Sequence, residues 1–115
     1  MKKVLILLSI FILPLAADAH VWYVGSAKTY TCHKASDMAK KYGIPSLASP
    51  ASGIIWAKTR AYRYFDHWER GFPGIGKMVA VKMQPTPESK VMGYVWFSTK
   101  KLCMGSMYLL ENHNK

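Results

Sequence analysis

Apolar and polar positions along the chain change period several times, and each change marks an element. Residues 4–13 are apolar except for Ser9, with Lys2 and Lys3 before them and Pro14 and Ala17-Asp18-Ala19 after them. A positive start, a short apolar stretch and small residues at a cleavage point are the marks of an export signal. The run is half of the about 20 residues that a bilayer crossing needs. No cysteine follows the cleavage point to take a lipid. Residues 1–19 are therefore expected to be a cleavable signal peptide, leaving one domain over 20–115 that begins at His20.

Shorter patterns follow. Residues 21–24 are aromatic and β-branched and predict a strand that continues past Gly25 through 28–31. Ser36 predicts the N-cap of a short helix that Gly43 ends, with Pro45 behind it. Residues 44–53 hold two Pro, three Ser and one Gly and read as an irregular loop. Strand-like runs at 78–83 and 91–97 flank Pro85-Thr86-Pro87-Glu88-Ser89, a hairpin whose loop is longer than a tight turn. Ser98 or Thr99 caps a closing helix through residue 110, with Cys103 in its early turns. The sum is an α+β fold, with helices packed on one face of a small, mainly antiparallel sheet.

Residues 54–70 carry the longest periodic pattern. At 100° per residue, Ile54, Ala57, Ala61, Tyr64, Phe65 and Trp68 fall on one arc, the stripe of an amphipathic helix. Trp56, Arg60, Arg63, His67 and Arg70 fall on the opposite side, within an arc of about 80°. Guanidinium forks hold phosphate and carboxylate bidentately, and a neighbouring indole adds stacking. These five residues are the candidate anion-binding face, and they include every arginine of the chain. Asp66 stands at helical spacing from Arg63 and Arg70 and would neutralise both on an ordinary solvated face.

Charge strengthens the anion reading. The chain has a formal net charge of +10, and of its charged residues only Lys2, Lys3 and Asp18 lie in the signal. Such a domain is steered toward anionic partners: lipid headgroups, acidic polysaccharide, an acidic protein or, less favoured, extracellular nucleic acid. The same sign disfavours an inhibitor of a basic lytic enzyme. Cys32 and Cys103 are the only two cysteines, so an oxidising compartment allows one intramolecular pairing, and no histidine stands at zinc spacing from either.

Sharper chemistry meets local obstacles. Residues 71–77 fit half of a phosphate loop, but Met78 stands where a magnesium-binding Ser or Thr is required, so they read as a glycine-rich turn. Ser98-Thr99-Lys100-Lys101 fits S-x-x-K, yet neither Ser-Asp-Asn nor Lys-Thr-Gly follows. An exposed N-terminal His20 resembles, at that single residue, the histidine brace of secreted copper proteins, with His33, His67 or His113 as second ligand and Met104 and Met107 nearby. The histidines share no spacing and the methionines suit core gaps, so no cofactor is expected, with copper the metal alternative. Small basic secreted ribonucleases have this size but need an acid, a base and a phosphate-binding cation together. The expected strands carry no His, Glu, Asp or Arg, and a helix would spread Asp66, His67 and Glu69 around its axis. The reading is a non-enzymatic periplasmic or secreted binding module with a basic face for an anionic envelope component; a copper protein and a ribonuclease are the alternatives.

Overall fold

The structure, a computed structural model, describes residues 20–115; the segment read as an export signal lies outside them. In chain order the elements are β1 (Tyr23–Ser26), β2 (Thr31–Lys34), α1 (Ala35–Tyr42), a 3-10 turn (Pro45–Ala48), α2 (Pro50–Thr59), β3 (Arg63–Phe72), β4 (Gly76–Gln84), β5 (Met92–Phe97) and α3 (Lys100–His113). The five strands form one antiparallel sheet in the order β2-β1-β5-β4-β3. This is the α+β architecture expected from the sequence.

Local chemistry explains most element ends. Asp37 sits in the first turn of α1 and Lys40 and Lys41 in its last, each favourable to the helix dipole. Gly43 then turns left-handed at φ 70°, while the amides of Gly43 and Ile44 donate to the Lys40 and Ala39 carbonyls. The Thr99 hydroxyl accepts the Leu102 amide at 3.2 Å and caps α3. Phe72-Pro73-Gly74-Ile75 closes the β3–β4 hairpin: Ile75 donates to the Phe72 carbonyl at 2.9 Å and Gly74 takes φ 78°. Proline followed by a glycine at positive φ is the demand of a type II turn.

Strand alternation divides the core between the two faces of the sheet. Val24, Val79, Val81, Met83, Tyr94 and Trp96 point to one face, where Ala35 and Ala39 of α1, Leu47 of the 3-10 turn and Ala57 of α2 cover them. Trp96 is fully buried, its indole N–H donating to the Leu47 carbonyl at 2.8 Å. Gly53 of α2 lies flush against that indole, where any Cβ would collide with the ring. The neighbouring Tyr94 hydroxyl is buried with no hydrogen-bond partner among the described residues, and this burial pushes its pKa up, with Tyr42 adding to the effect. On the other face, Phe97 packs with Leu102, Cys103 and Met107 of α3. Cys103 is joined to Cys32 of β2, with 6.1 Å between their Cα atoms.

Several elements depart from the sequence reading. The helices divide between the two faces rather than sharing one, because Cys32 and Gly25 point away from α1 and draw α3 to their side. The first strand does not run on through 28–31; the chain reverses at Tyr30, φ 56°, and returns as β2. Helix α1 begins at Ala35, so Lys34 rather than Ser36 holds the cap position. The loop at 44–53 contains the 3-10 turn and the start of α2, with Pro50 in the first helical turn, where its missing N–H costs nothing.

The largest correction concerns 54–70. The helix stops at Thr59, and Arg63–Phe72 is a strand at the sheet edge. Five aromatic residues between Tyr62 and Phe72 favour the pleated form, and the Pro73-Gly74 turn returns them against β4.

Candidate binding face on the open half of the sheet

Helix α3 packs mainly on β1, β2 and β5, with Met78 of β4 and Phe72 of β3 at the border of its cluster, and leaves most of β4 and β3 uncovered. The face it leaves bare is set by the β3–β4 register. Asp66 opposes Lys82, Trp68 opposes Ala80 and Arg70 opposes Met78, and opposed residues of an antiparallel pair share a side. Tyr64, His67 and Glu69, opposed to Met83, Val81 and Val79, share the other side.

Two aromatic rings stand out of the bare face, Trp68 at 48% exposure and Phe65 at 43%. Phe65 occupies the irregularity between Tyr64 and Asp66, and the Lys82 ammonium lies 5.7 Å from its ring centre. The Arg70 guanidinium lies 5.4 Å from the Phe72 ring. Trp68, Ala80, Lys82, Val91 and Val95 line a shallow groove of about 290 Å³. Arg63, at the far end of β3, is about 20 Å from Arg70 along an extended chain.

These cations are not neutralised at home. Among the described residues the one ion pair within 4.0 Å is Lys77–Glu69, on the other side of the sheet. Asp66, expected to pair with Arg63 and Arg70, instead accepts the His67 amide at 2.8 Å. Helical spacing would have brought those charges together; an extended strand does not.

The five residues expected to share one helical face are thus dispersed. Trp56 is half-buried on α2 and packs against the core. Arg60 is exposed at the C-terminal end of α2. Arg63 and Arg70 lie on the bare face of β3, and His67 lies on the opposite face, hydrogen-bonded through Nδ1 to the Tyr64 hydroxyl. Phe65 and Trp68, placed in a buried stripe by the helical reading, are exposed, and Lys82 joins them from β4. Lys82 was legible as the polar position between Val81 and Met83, since strand alternation sends it away from the core.

The remaining chemistry is spread out. His20 Nε2 donates to the Ser98 carbonyl at 2.9 Å, His33 Nε2 shares a hydrogen bond with the Thr31 hydroxyl at 2.9 Å, and His113 ends α3. Met107 is buried beneath Gly25, whereas Met104 is exposed. No group of three or more His, Cys, Asp or Glu able to hold a metal is found among the described residues.

The strand changes the geometry of the acid–base candidates. His67 and Glu69 share a side of β3 instead of being spread around a helix, with Asp66 on the other. Glu69 faces Lys77 at 3.9 Å and both are half-exposed or more. Lys77 and Glu69 border a recess of about 340 Å³ with His20 and Trp22, and the Lys77 ammonium is 5.9 Å from the Trp22 ring.

No protein-family model, curated protein or solved structure matches this chain.

Proposed function

We propose that the protein is an exported, non-enzymatic binding module of the cell envelope, periplasmic or secreted. Its bare β3–β4 face takes a component bearing phosphate or carboxylate groups. One observation carries this reading: among the described residues no carboxylate lies within 4.0 Å of the Arg63, Arg70 or Lys82 cation, on a face where Trp68 and Phe65 stand exposed. Unpaired guanidinium forks beside exposed rings offer charge-assisted hydrogen bonds and stacking together. The Cys32–Cys103 bond and the leader-like features of residues 1–19 support export. No helix among the described residues is long and apolar enough to cross a membrane.

The test is adsorption to vesicles containing an anionic phospholipid and, separately, to an acidic polysaccharide, with R63Q/R70Q/K82Q compared with a charge-matched K28Q/K40Q/K41Q control. The control residues are exposed on α1 and in the turn between β1 and β2, the edge of the sheet opposite β3. The face variant should bind at least about tenfold more weakly at low salt and show a flatter salt dependence, as fewer counterions are released. The control should lose less than about threefold. The vesicle and polysaccharide arms distinguish the two sources of anion. Equal losses in both variants would show that net charge alone is at work. Trp68→Ala should weaken binding while costing no more than about 1–2 kcal/mol of stability, since half of the side chain is already in water.

A further inference from the structure

We propose that β3 is a dimerisation edge, on which two copies of this chain pair antiparallel through residues 66–70 about a two-fold axis at Trp68.

Strand β3 is the last strand of the sheet, and among the described residues its outer edge has no neighbouring strand. It is also 10 residues long, where strands commonly have about 5–6. Long unpaired edges are templates for another strand unless something prevents it. Charges on an edge are one such safeguard, and here their order selects one partner.

In Asp66-His67-Trp68-Glu69-Arg70 the carboxylate at one end and the guanidinium at the other stand symmetrically about the central indole, and His67 mirrors Glu69. In a two-fold antiparallel pair one residue opposes its own copy, and its neighbours oppose each other in reverse order. With Trp68 on the axis, Asp66 meets Arg70 of the second copy twice, and His67 meets Glu69 of the second copy twice. The faces agree with this register. Asp66, Trp68 and Arg70 lie on one side of β3, and His67 and Glu69 lie on the other. Centring the axis on Asp66, Glu69 or Arg70 would set a like charge against itself, and centring it on His67 would form no ion pair. Only the Trp68 register combines opposite charges without a like-charged pair.

The backbone points the same way. The His67 amide, held at 2.8 Å by the Asp66 carboxylate, is an edge donor with a partner from its own strand. On pairing, the Glu69 carbonyl of the second copy takes that amide, and the Asp66 carboxylate is released toward Arg70 of the second copy. Trp68 then opposes Trp68 at a non-hydrogen-bonded position, where side chains approach most closely. The irregularity at Phe65 falls just outside the paired segment and limits the contact to 66–70. A guanidinium has five donors and a carboxylate engages two of them, so Arg70 can still meet a further anion.

The dimer does not depend on any ligand and is measured without one. Sedimentation equilibrium should show the protein in a monomer–dimer equilibrium with a dissociation constant in the micromolar range, as fits a small interface. A protein that stays monomeric at about 1 mM overturns the proposal. Asp66→Arg alone and Arg70→Asp alone should each raise the dissociation constant by about tenfold or more, and the D66R/R70D double variant should restore it to within about threefold. Single variants that dimerise like the wild type, or a double variant as weak as the singles, would show that this register is wrong. Should either reversal disturb the fold, seen by circular dichroism, His67→Glu faces Glu69 of the second copy with a like charge and must weaken the dimer too.

Discussion

Trp96→Ala is expected to cost about 3–5 kcal/mol, the usual range for deleting a fully buried large aromatic. Trp96 has 0% exposure and is the next-to-last residue of β5, the central strand of the sheet. The substitution removes the surface on which Gly53 of α2 rests, a contact so close that α2 cannot simply have been built with alanine there. It also strips the Leu47 carbonyl of the indole N–H that satisfies it at 2.8 Å. A buried carbonyl left alone costs about 1–3 kcal/mol, which places the expected loss toward the upper end of the range for a buried aromatic. Single domains have about 5–15 kcal/mol in total, so the substitution removes a large share of the stability. Urea denaturation followed by circular dichroism checks this; a cost below about 2 kcal/mol would mean that the α2-side core is not packed as described.

The disulfide carries the second large effect. Cys32 and Cys103 are 71 residues apart, and closing such a loop constrains the unfolded chain by about 4 kcal/mol in the entropic view. Replacing both cysteines with alanine avoids a free thiol and should cost about 2–5 kcal/mol. The loss should concentrate on the α3 side, where Cys103 is buried with Phe97, Leu102 and Met107. Denaturation of the native protein with and without reductant should show the same difference. The double variant should be indifferent to reductant.

Much of this architecture was readable because local chemistry and tertiary packing agree. Gly43 had to end a helix, Ser98 or Thr99 had to begin one, and 78–83 and 91–97 are strand-like runs on either side of a Pro-rich loop. The single cysteine pair left one connectivity to choose. Residues 54–70 misled for a physical reason. At an edge strand, both sides of which meet water along Phe65–Arg70, no alternation of apolar and polar residues is imposed. What remained was a set of apolar residues whose spacing happens to fit 3.6 per turn, across a helix end and a strand irregularity. The aromatic content of 62–72 and the Pro73-Gly74 turn were the available counter-signals. The candidate face suffers from the same error: a helical reading turns Phe65 and Trp68 inward and leaves Lys82 unconnected to Arg63 and Arg70. The division of helices between two faces could not be read at all, since it depends on which side of the sheet Cys32 faces.

The central claim is that anions meet the protein on the bare β3–β4 face. The chain has four tryptophans, and each indole N–H is a separate reporter by proton–nitrogen correlation spectroscopy. Trp96 is buried, Trp56 packs on the core from α2, Trp22 borders the recess on the other side of the sheet, and Trp68 alone stands on the bare face. Titration with anionic phospholipid micelles or acidic oligosaccharide should move the Trp68 indole signal, together with the amides of Phe65, Arg70 and Lys82, and leave the other three indoles in place. Movement of Trp22 without Trp68, or binding that moves no indole, would contradict the account.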